Sequence, residues 1–98
     1  MKTEDFLLKF CKATATIGTY VIEHKYPDVY ADILLVSLED SFILSVGGLT
    51  AYFYKENTST TISDNDRILF ELHDNEGTLM CQFVVDASTI ASISRLAH

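Results

Sequence analysis

Apolar and polar side chains alternate on both sides of residues 74–77, and this pattern predicts a β-hairpin over residues 67–85. The polar interruption, Asp74-Asn75-Glu76-Gly77, predicts a four-residue loop built on a type I turn, with Gly77 supplying a positive φ. The apolar positions that share one face of this hairpin are Ile68, Phe70, Leu72, Leu79, Cys81, Phe83 and Val85.

The length of the loop decides which residues lie opposite each other. A three-residue loop would bring Gln82 onto the apolar face, because a slip of one residue moves every side chain to the other face. A two-residue turn keeps the same faces but requires a positive φ at Glu76, so the four-residue loop is preferred. The predicted opposite pairs are Leu72 with Leu79, Phe70 with Cys81, and Ile68 with Phe83.

The beginning of the chain predicts a helix followed by a strand. Thr3 is the expected N-cap, with two acidic residues in the first turn, where carboxylates favour the helix dipole. β-branched and aromatic residues favour a strand over residues 16–23, so the helix is expected to end near Ala13; continuation to Gly18 is the alternative. The apolar positions at helical spacing are Phe6, Phe10, Ala13 and Ile17.

Residues 29–38 and 41–46 predict a second hairpin, joined by a turn at Glu39-Asp40. Both faces of this hairpin carry apolar residues, which is typical of strands that are covered on both sides. A helix is expected to cover one face, and a partner chain, such as a second copy in a homodimer, is a candidate for the other. The residues predicted to share one face are Ile33, Leu35, Phe42, Leu44 and Val46.

The segment after Val46 predicts a further strand. Gly47-Gly48 is expected to bend or bulge the strand, and alternation resumes over residues 49–55. Tyr52 and Tyr54 fall on the face opposite Phe53. They either cover a second layer within the fold or form an exposed aromatic patch for a partner.

Two further segments complete the predicted architecture. Residues 56–66 are polar and are expected to form one loop. Asp86 is the expected N-cap of a short C-terminal helix, because Ile90, Ile93 and Leu96 recur at three-residue steps. The chain is therefore predicted to be an α+β domain with an N-terminal helix, an antiparallel meander sheet of about five to six strands and a short C-terminal helix.

Composition indicates a single domain over residues 1–98, because 98 residues with 48% hydrophobic side chains suffice for one core. No apolar run approaches the ~18 to 20 residues that cross a bilayer, and no secretory signal pattern is present, so a soluble cytoplasmic protein is expected. Cys11 and Cys81 fall on apolar faces, where buried free thiols are expected rather than a disulfide.

The chain is acidic, with 14 Asp and Glu against seven Lys and Arg and a net charge of −7. A surface of this sign disfavours direct binding to nucleic acid and to anionic membranes. It steers association with basic proteins, including proteins that themselves bind nucleic acid. The expected partner is therefore a protein. If charge governs the encounter, the surface that it presents is basic.

No group of residues predicts catalysis or a metal site. The hairpin pattern places Cys81 and His73 on opposite faces of the sheet, so they are not expected to act as nucleophile and base. Asp64-Asn65-Asp66 offers oxygen ligands but lacks the Gly and the distant Glu of a calcium-binding EF-hand loop. No enzymatic activity, metal or cofactor is therefore expected.

The predicted function is that of a small acidic protein-binding module of inhibitor, immunity or chaperone type. Tyrosine suits such a role because it presents a large amphipathic surface at low entropic cost. The residues expected to contact the partner are Tyr52, Tyr54, Asp64, Asp66, Asp74 and Glu76. One alternative is a nucleic-acid mimic, with carboxylates repeated along one surface. The other is a small-molecule-binding domain with an apolar pocket between helix and sheet, lined by Phe6, Phe10, Phe70 and Phe83.

Overall fold

The computed structural model describes residues 1–97 and confirms an α+β architecture with an N-terminal helix and antiparallel strands. The strands form two sheets rather than one, a five-stranded sheet in the order β4-β3-β2-β1-β8 and a three-stranded sheet in the order β5-β6-β7. The elements are α1 (Thr3–Thr14), β1 (Gly18–His24), β2 (Ile33–Ser37), β3 (Ser41–Val46), β4 (Leu49–Tyr54), β5 (Thr58–Ile62), β6 (Arg67–His73), β7 (Leu79–Asp86) and β8 (Ile90–Arg95), with single 3-10 turns at Lys55–Asn57 and Ala87–Thr89.

Helix α1 ends at Thr14 and β1 begins at Gly18, which confirms a helix followed by a strand. The predicted N-cap is wrong, because Lys2 occupies the cap position and makes no side-chain cap hydrogen bond. Thr3 is already helical, and its Oγ1 donates instead to Oδ1 of Asp66 at 2.7 Å. The hydroxyl therefore ties the start of α1 to the β5–β6 loop instead of capping the helix.

The core lies between α1 and the inner faces of both sheets. The ring of Phe10 packs edge-on against Phe42 of the five-stranded sheet, with centroids 5.5 Å apart, and against Phe70 of the three-stranded sheet at 4.6 Å. One helix residue thus contacts both sheets. Cys81 is half-buried beside this core, whereas Cys11 is exposed, contrary to prediction, and both thiols are free.

The β2–β3 hairpin has the predicted faces and the predicted turn. Leu38 N–H donates to the carbonyl of Ser41 at 2.8 Å, which closes the two-residue turn at Glu39-Asp40. The next turn differs from prediction, because Gly47-Gly48 reverses the chain so that Val46 faces Leu49. Gly47 has φ +57°, a conformation that the primed types of two-residue hairpin turn require and glycine adopts freely.

The polar segment 56–66 is not one loop, because it contains β5. Thr58–Ile62 pairs with β6 over its full length, from Thr58 opposite Leu72 to Ile62 opposite Ile68. Its threonines and its isoleucine are β-branched and fit a strand, and its hydroxyl side chains suit a position at the edge of the sheet. The remaining loop closes at Ser63, whose N–H donates to the carbonyl of Arg67 at 2.9 Å.

The predicted hairpin between Arg67 and Val85 has the wrong register, and its predicted apolar face is right except at Leu79, which faces His73 and is 46% exposed. The observed pairs are Leu72 with Cys81, Phe70 with Phe83, and Ile68 with Val85, two residues away from the predicted pairs. The loop contains three residues, since Asp74 N–H donates to the carbonyl of Thr78 at 2.9 Å and Gly77 has φ +85°. A bulge at Met80, where His73 faces Leu79 and Leu72 faces Cys81, restores the alternation that a three-residue loop would otherwise break.

Replacing Gly77 with Val is expected to lower the free energy of unfolding by about 1 to 2 kcal/mol, because a side chain in the left-handed region costs roughly that much. No atom lies within 4 Å of the position that a Cβ at Gly77 would take, so the loss reports backbone strain alone. Urea denaturation measures the change. Gly48→Val is the control, since Gly48 lacks both a positive φ and a close neighbour. Equal losses in the two variants would contradict the predicted strain at Gly77.

The predicted C-terminal helix is wrong, because only the 3-10 turn Ala87–Thr89 is helical and the chain then continues as β8. Asp86 does cap this turn, since its Oδ1 accepts from the N–H of Ser88 at 3.0 Å. Beyond it, a bulge at Ala91 lets Ile90 face His24 while Ile93 faces Ile22. Ile90 and Ile93 therefore share the inner face of the strand although they are three residues apart, a spacing that is typical of a helix.

Candidate functional site

Tyr52 and Tyr54 lie on the outer face of the five-stranded sheet, and both are exposed, at 44% and 58% of their surface. Of the two alternatives, the structure therefore has the exposed aromatic patch and not the second internal layer. The rings stand edge to face with centroids 5.6 Å apart. The hydroxyl of Tyr52 also accepts a hydrogen bond from Ser41 Oγ at 3.4 Å, so Tyr52 is the more constrained of the two.

Tyr54 stands between two open surface grooves. One groove, of about 600 Å³, is rimmed by the carboxylates of Glu39, Asp40 and Glu56. The other, of about 310 Å³, runs along the β6–β7 loop past Asp74 and the exposed side chain of bulged Met80. We call this region the Tyr54 surface, defined by Tyr54 with Glu39, Asp40, Glu56 and Asp74.

The carboxylates of the Tyr54 surface keep their negative charge uncompensated by ion pairs. Lys55 is the neighbouring cation, but its Nζ donates to main-chain carbonyls, those of Thr14 at 2.5 Å, Leu38 at 2.6 Å and Glu39 at 3.3 Å. Across residues 1–97, the one contact within 4.0 Å between an acidic and a basic side chain joins Glu71 to His73, at 3.9 Å. Three carboxylates and one ammonium, that of Lys55, line the larger groove, so its rim carries a net negative charge that favours cations.

Sequence reasoning did not include Glu39, Asp40 and Glu56 among the site residues. The missing signal is the chain reversal at Gly47-Gly48, which pairs Tyr54 with Ser41 and so sets the end of β4 beside the β2–β3 turn. The N–H of Lys55 donates to the carbonyl of Asp40 at 2.9 Å, which fixes this proximity. Turn residues that are distant in sequence from Tyr54 thereby become its neighbours.

Asp74 and Glu76 have different roles in the β6–β7 loop. Asp74 Oδ1 accepts from the N–H groups of Glu76 at 2.9 Å and Thr78 at 2.8 Å, so this carboxylate holds the turn together. Glu76 is exposed and free of side-chain hydrogen bonds in the described structure. Asn57 Nδ2 donates to the carbonyl of His73 and to Asn75 Oδ1, both at 3.1 Å, which docks the loop next to Tyr54.

Asp64 and Asp66 lie at the opposite end of β6 from Asp74, so the structure does not bring the predicted acidic residues together. Asp66 has φ +59° and accepts from Thr3 Oγ1, which gives it a structural part in its own loop. Among residues 1–97, no three His, Cys, Asp or Glu side chains are grouped closely enough to hold a metal ion. A nucleic-acid mimic requires carboxylates along one surface, and this separation does not favour it.

Three of the four phenylalanines considered for an apolar ligand pocket are packed against one another. Phe6, Phe10 and Phe70 are at most 5% exposed, and the Phe6 and Phe10 rings stack at 5.8 Å. The cleft next to Phe10, Phe42 and Phe70 has about 210 Å³, below the ~300 Å³ at which ligand sites begin. This region is therefore core in the structure.

No helix in the described part of the chain is long and apolar enough to cross a membrane. Comparison with protein families, with characterised proteins and with solved structures finds no match to this chain. The function is therefore argued from the residues and their arrangement.

Proposed function

We propose that this chain is a non-enzymatic binding module that engages a basic segment of a partner protein at the Tyr54 surface. The observation that carries the proposal is the 58% exposed ring of Tyr54, set between two grooves whose rims hold Glu39, Asp40, Glu56 and Asp74. An inhibitor, an immunity protein or a chaperone of a nucleic-acid-binding protein would each need such a surface.

The chemistry of the Tyr54 surface suits an arginine or lysine side chain. A guanidinium stacked on a tyrosine face gains about 0.5 to 1 kcal/mol at an exposed site, and a nearby carboxylate adds a charge-assisted hydrogen bond. The contacts of Lys55 support this, because its ammonium donates to main-chain carbonyls and makes no ion pair with the carboxylates of the groove. The net charge of −7 accelerates encounter with a basic partner.

We expect Tyr54→Ala to weaken binding of a fluorescein-labelled arginine-rich peptide by about 5- to 30-fold, the effect of removing an aromatic anchor worth about 1 to 2 kcal/mol. Fluorescence anisotropy measures the dissociation constant. Because the substitution leaves the net charge unchanged, the loss separates a site at Tyr54 from general attraction to an acidic protein. Binding should also weaken as salt is raised.

Tyr26→Ala is the matched control for Tyr54→Ala. Tyr26 is 57% exposed and lies in the turn after β1, away from the Tyr54 surface. We expect this variant to bind the peptide as the parent protein does, and a peptide with glutamine in place of arginine not to bind. Equal losses for the two tyrosine variants, or no loss for either, would contradict a binding site at Tyr54.

A further inference from the structure

The outer face of the five-stranded sheet carries apolar and hydroxyl side chains and is almost free of charge. Tyr52, Ile43, Val36 and Thr19 lie opposite one another in register across β4, β3, β2 and β1, and form a row across four strands. A second row joins Thr50, Ser45, Leu34, Val21 and Ser94. Of the outward strand positions, only Glu23 at the end of β1 is charged. We call this surface the outer sheet face.

The absence of charge on this face contrasts with the rest of the molecule. The chain carries 14 acidic and seven basic side chains, so most of the surface repels a second copy. A basic partner finds no carboxylate in the two rows. Hydroxyl groups, by contrast, both donate and accept hydrogen bonds, so a serine or threonine can bond to the equivalent residue of a second copy. The chemistry of this face is therefore self-complementary.

We propose that two copies of this chain pack outer sheet face to outer sheet face, as the two sheets of a sandwich do. Leu34 and Tyr52, 37% and 44% exposed in the single chain, become buried in this dimer. Val36 and Ile43, half-buried already, lie at its centre. Apolar residues at the centre with hydroxyls around them match the composition of protein interfaces, in which charged residues are depleted.

The area of the face is compatible with a reversible dimer. Five strands spaced about 4.8 Å apart, each near six residues long at about 3.3 Å per residue, project to roughly 480 Å² per copy. Two copies therefore bury about 1,000 Å² in projection, and side-chain relief adds to it. That value is at the lower limit of specific interfaces, well short of the area in obligate dimers.

Val36→Lys is expected to raise the dimer dissociation constant at least tenfold, because each copy places an unpaired ammonium at the centre of the interface. Sedimentation velocity over protein concentrations from about 5 to 500 μM measures the association. Val84→Lys is the matched control, since Val84 is 53% exposed on the outward side of the three-stranded sheet, opposite Leu69. It adds the same charge to the same residue type and should dimerise as the parent protein does.

A milder variant and a salt series keep the test decisive should Val36→Lys fail to fold. Val36→Thr keeps the shape and strand preference of valine while reducing apolar contact, and should raise the dissociation constant about threefold. Tyr54 lies at the edge of the same face, so the dimer and the peptide compete for it. Raising salt should strengthen the dimer, by screening like charges, and weaken arginine-peptide binding, and these opposite responses distinguish the two. A parent protein that stays monomeric throughout, or a Val36→Thr variant indistinguishable from it, would overturn the proposal.

Discussion

Phe10→Ala is expected to lower the free energy of unfolding by about 3 to 5 kcal/mol, a large part of the ~5 to 15 kcal/mol that stabilises a domain of this size. The ring of Phe10 contacts Phe6 on the same helix, Phe42 in one sheet and Phe70 in the other. Its removal leaves a cavity where these elements meet, and backbone held by two sheets cannot collapse to fill it. Urea denaturation at constant pH measures the loss.

Leu8→Ala is the control for the helix itself. Leu8 belongs to α1 but is 58% exposed, so the same truncation there should change stability by less than about 1 kcal/mol. Phe10→Leu, which refills most of the volume, should recover more than half of the loss. A Phe10→Ala variant as stable as Leu8→Ala would show that α1 does not join the two sheets.

Lys55→Met is expected to cost about 2 to 3 kcal/mol and to lower the melting temperature by roughly 10 °C or more. The Lys55 ammonium joins the last helical carbonyl, that of Thr14, to the carbonyls of Leu38 and Glu39 in the β2–β3 turn. A cation at a helix C-terminus also favours the helix dipole. Methionine keeps the length and apolar stem of the side chain and removes only the donors, and calorimetry records the shift.

Lys12→Met separates this effect from loss of a positive charge. Lys12 lies in the last turn of α1 and is exposed, so its replacement removes the same charge near the same helix end. The expected cost is below about 1 kcal/mol. Similar losses for Lys12 and Lys55 would mean that the hydrogen bonds to the three carbonyls contribute little.

Alternation along β6 and β7 was enough to predict which side chains share the core face, because burial imposes the period of two. It was not enough to predict the register, because a loop of four residues and a loop of three with a bulge at Met80 place the same residues inward, with the exception of Leu79. The bulge at Ala91 has the larger effect on the prediction, since it gives Ile90 and Ile93 the spacing of a helix and so indicated a helix where the chain forms β8. Bulges depend on how two strands meet, which one strand's pattern does not contain.

The candidate site, like the hairpin, could be predicted only in part from the sequence. The exposure of Tyr52 and Tyr54 follows from alternation along β4, once no second layer covers their face. The grouping of Glu39 and Glu56 around Tyr54 depends on which strands are neighbours, a property of the whole chain. The engagement of Lys55 by carbonyl groups leaves no mark in the sequence, because every residue type carries the same acceptor.

Five of the six strand pairings join strands that follow one another along the chain, and the sixth joins β1 to β8. The neighbouring pairs close short loops and form early, whereas the β1–β8 pair requires Tyr20 to meet Arg95 across most of the sequence. Until then β1 is an open edge carrying unpaired amide and carbonyl groups. We therefore expect the β1–β8 pairing to be the slow step of folding and the period in which the chain is most exposed to aggregation through strand addition.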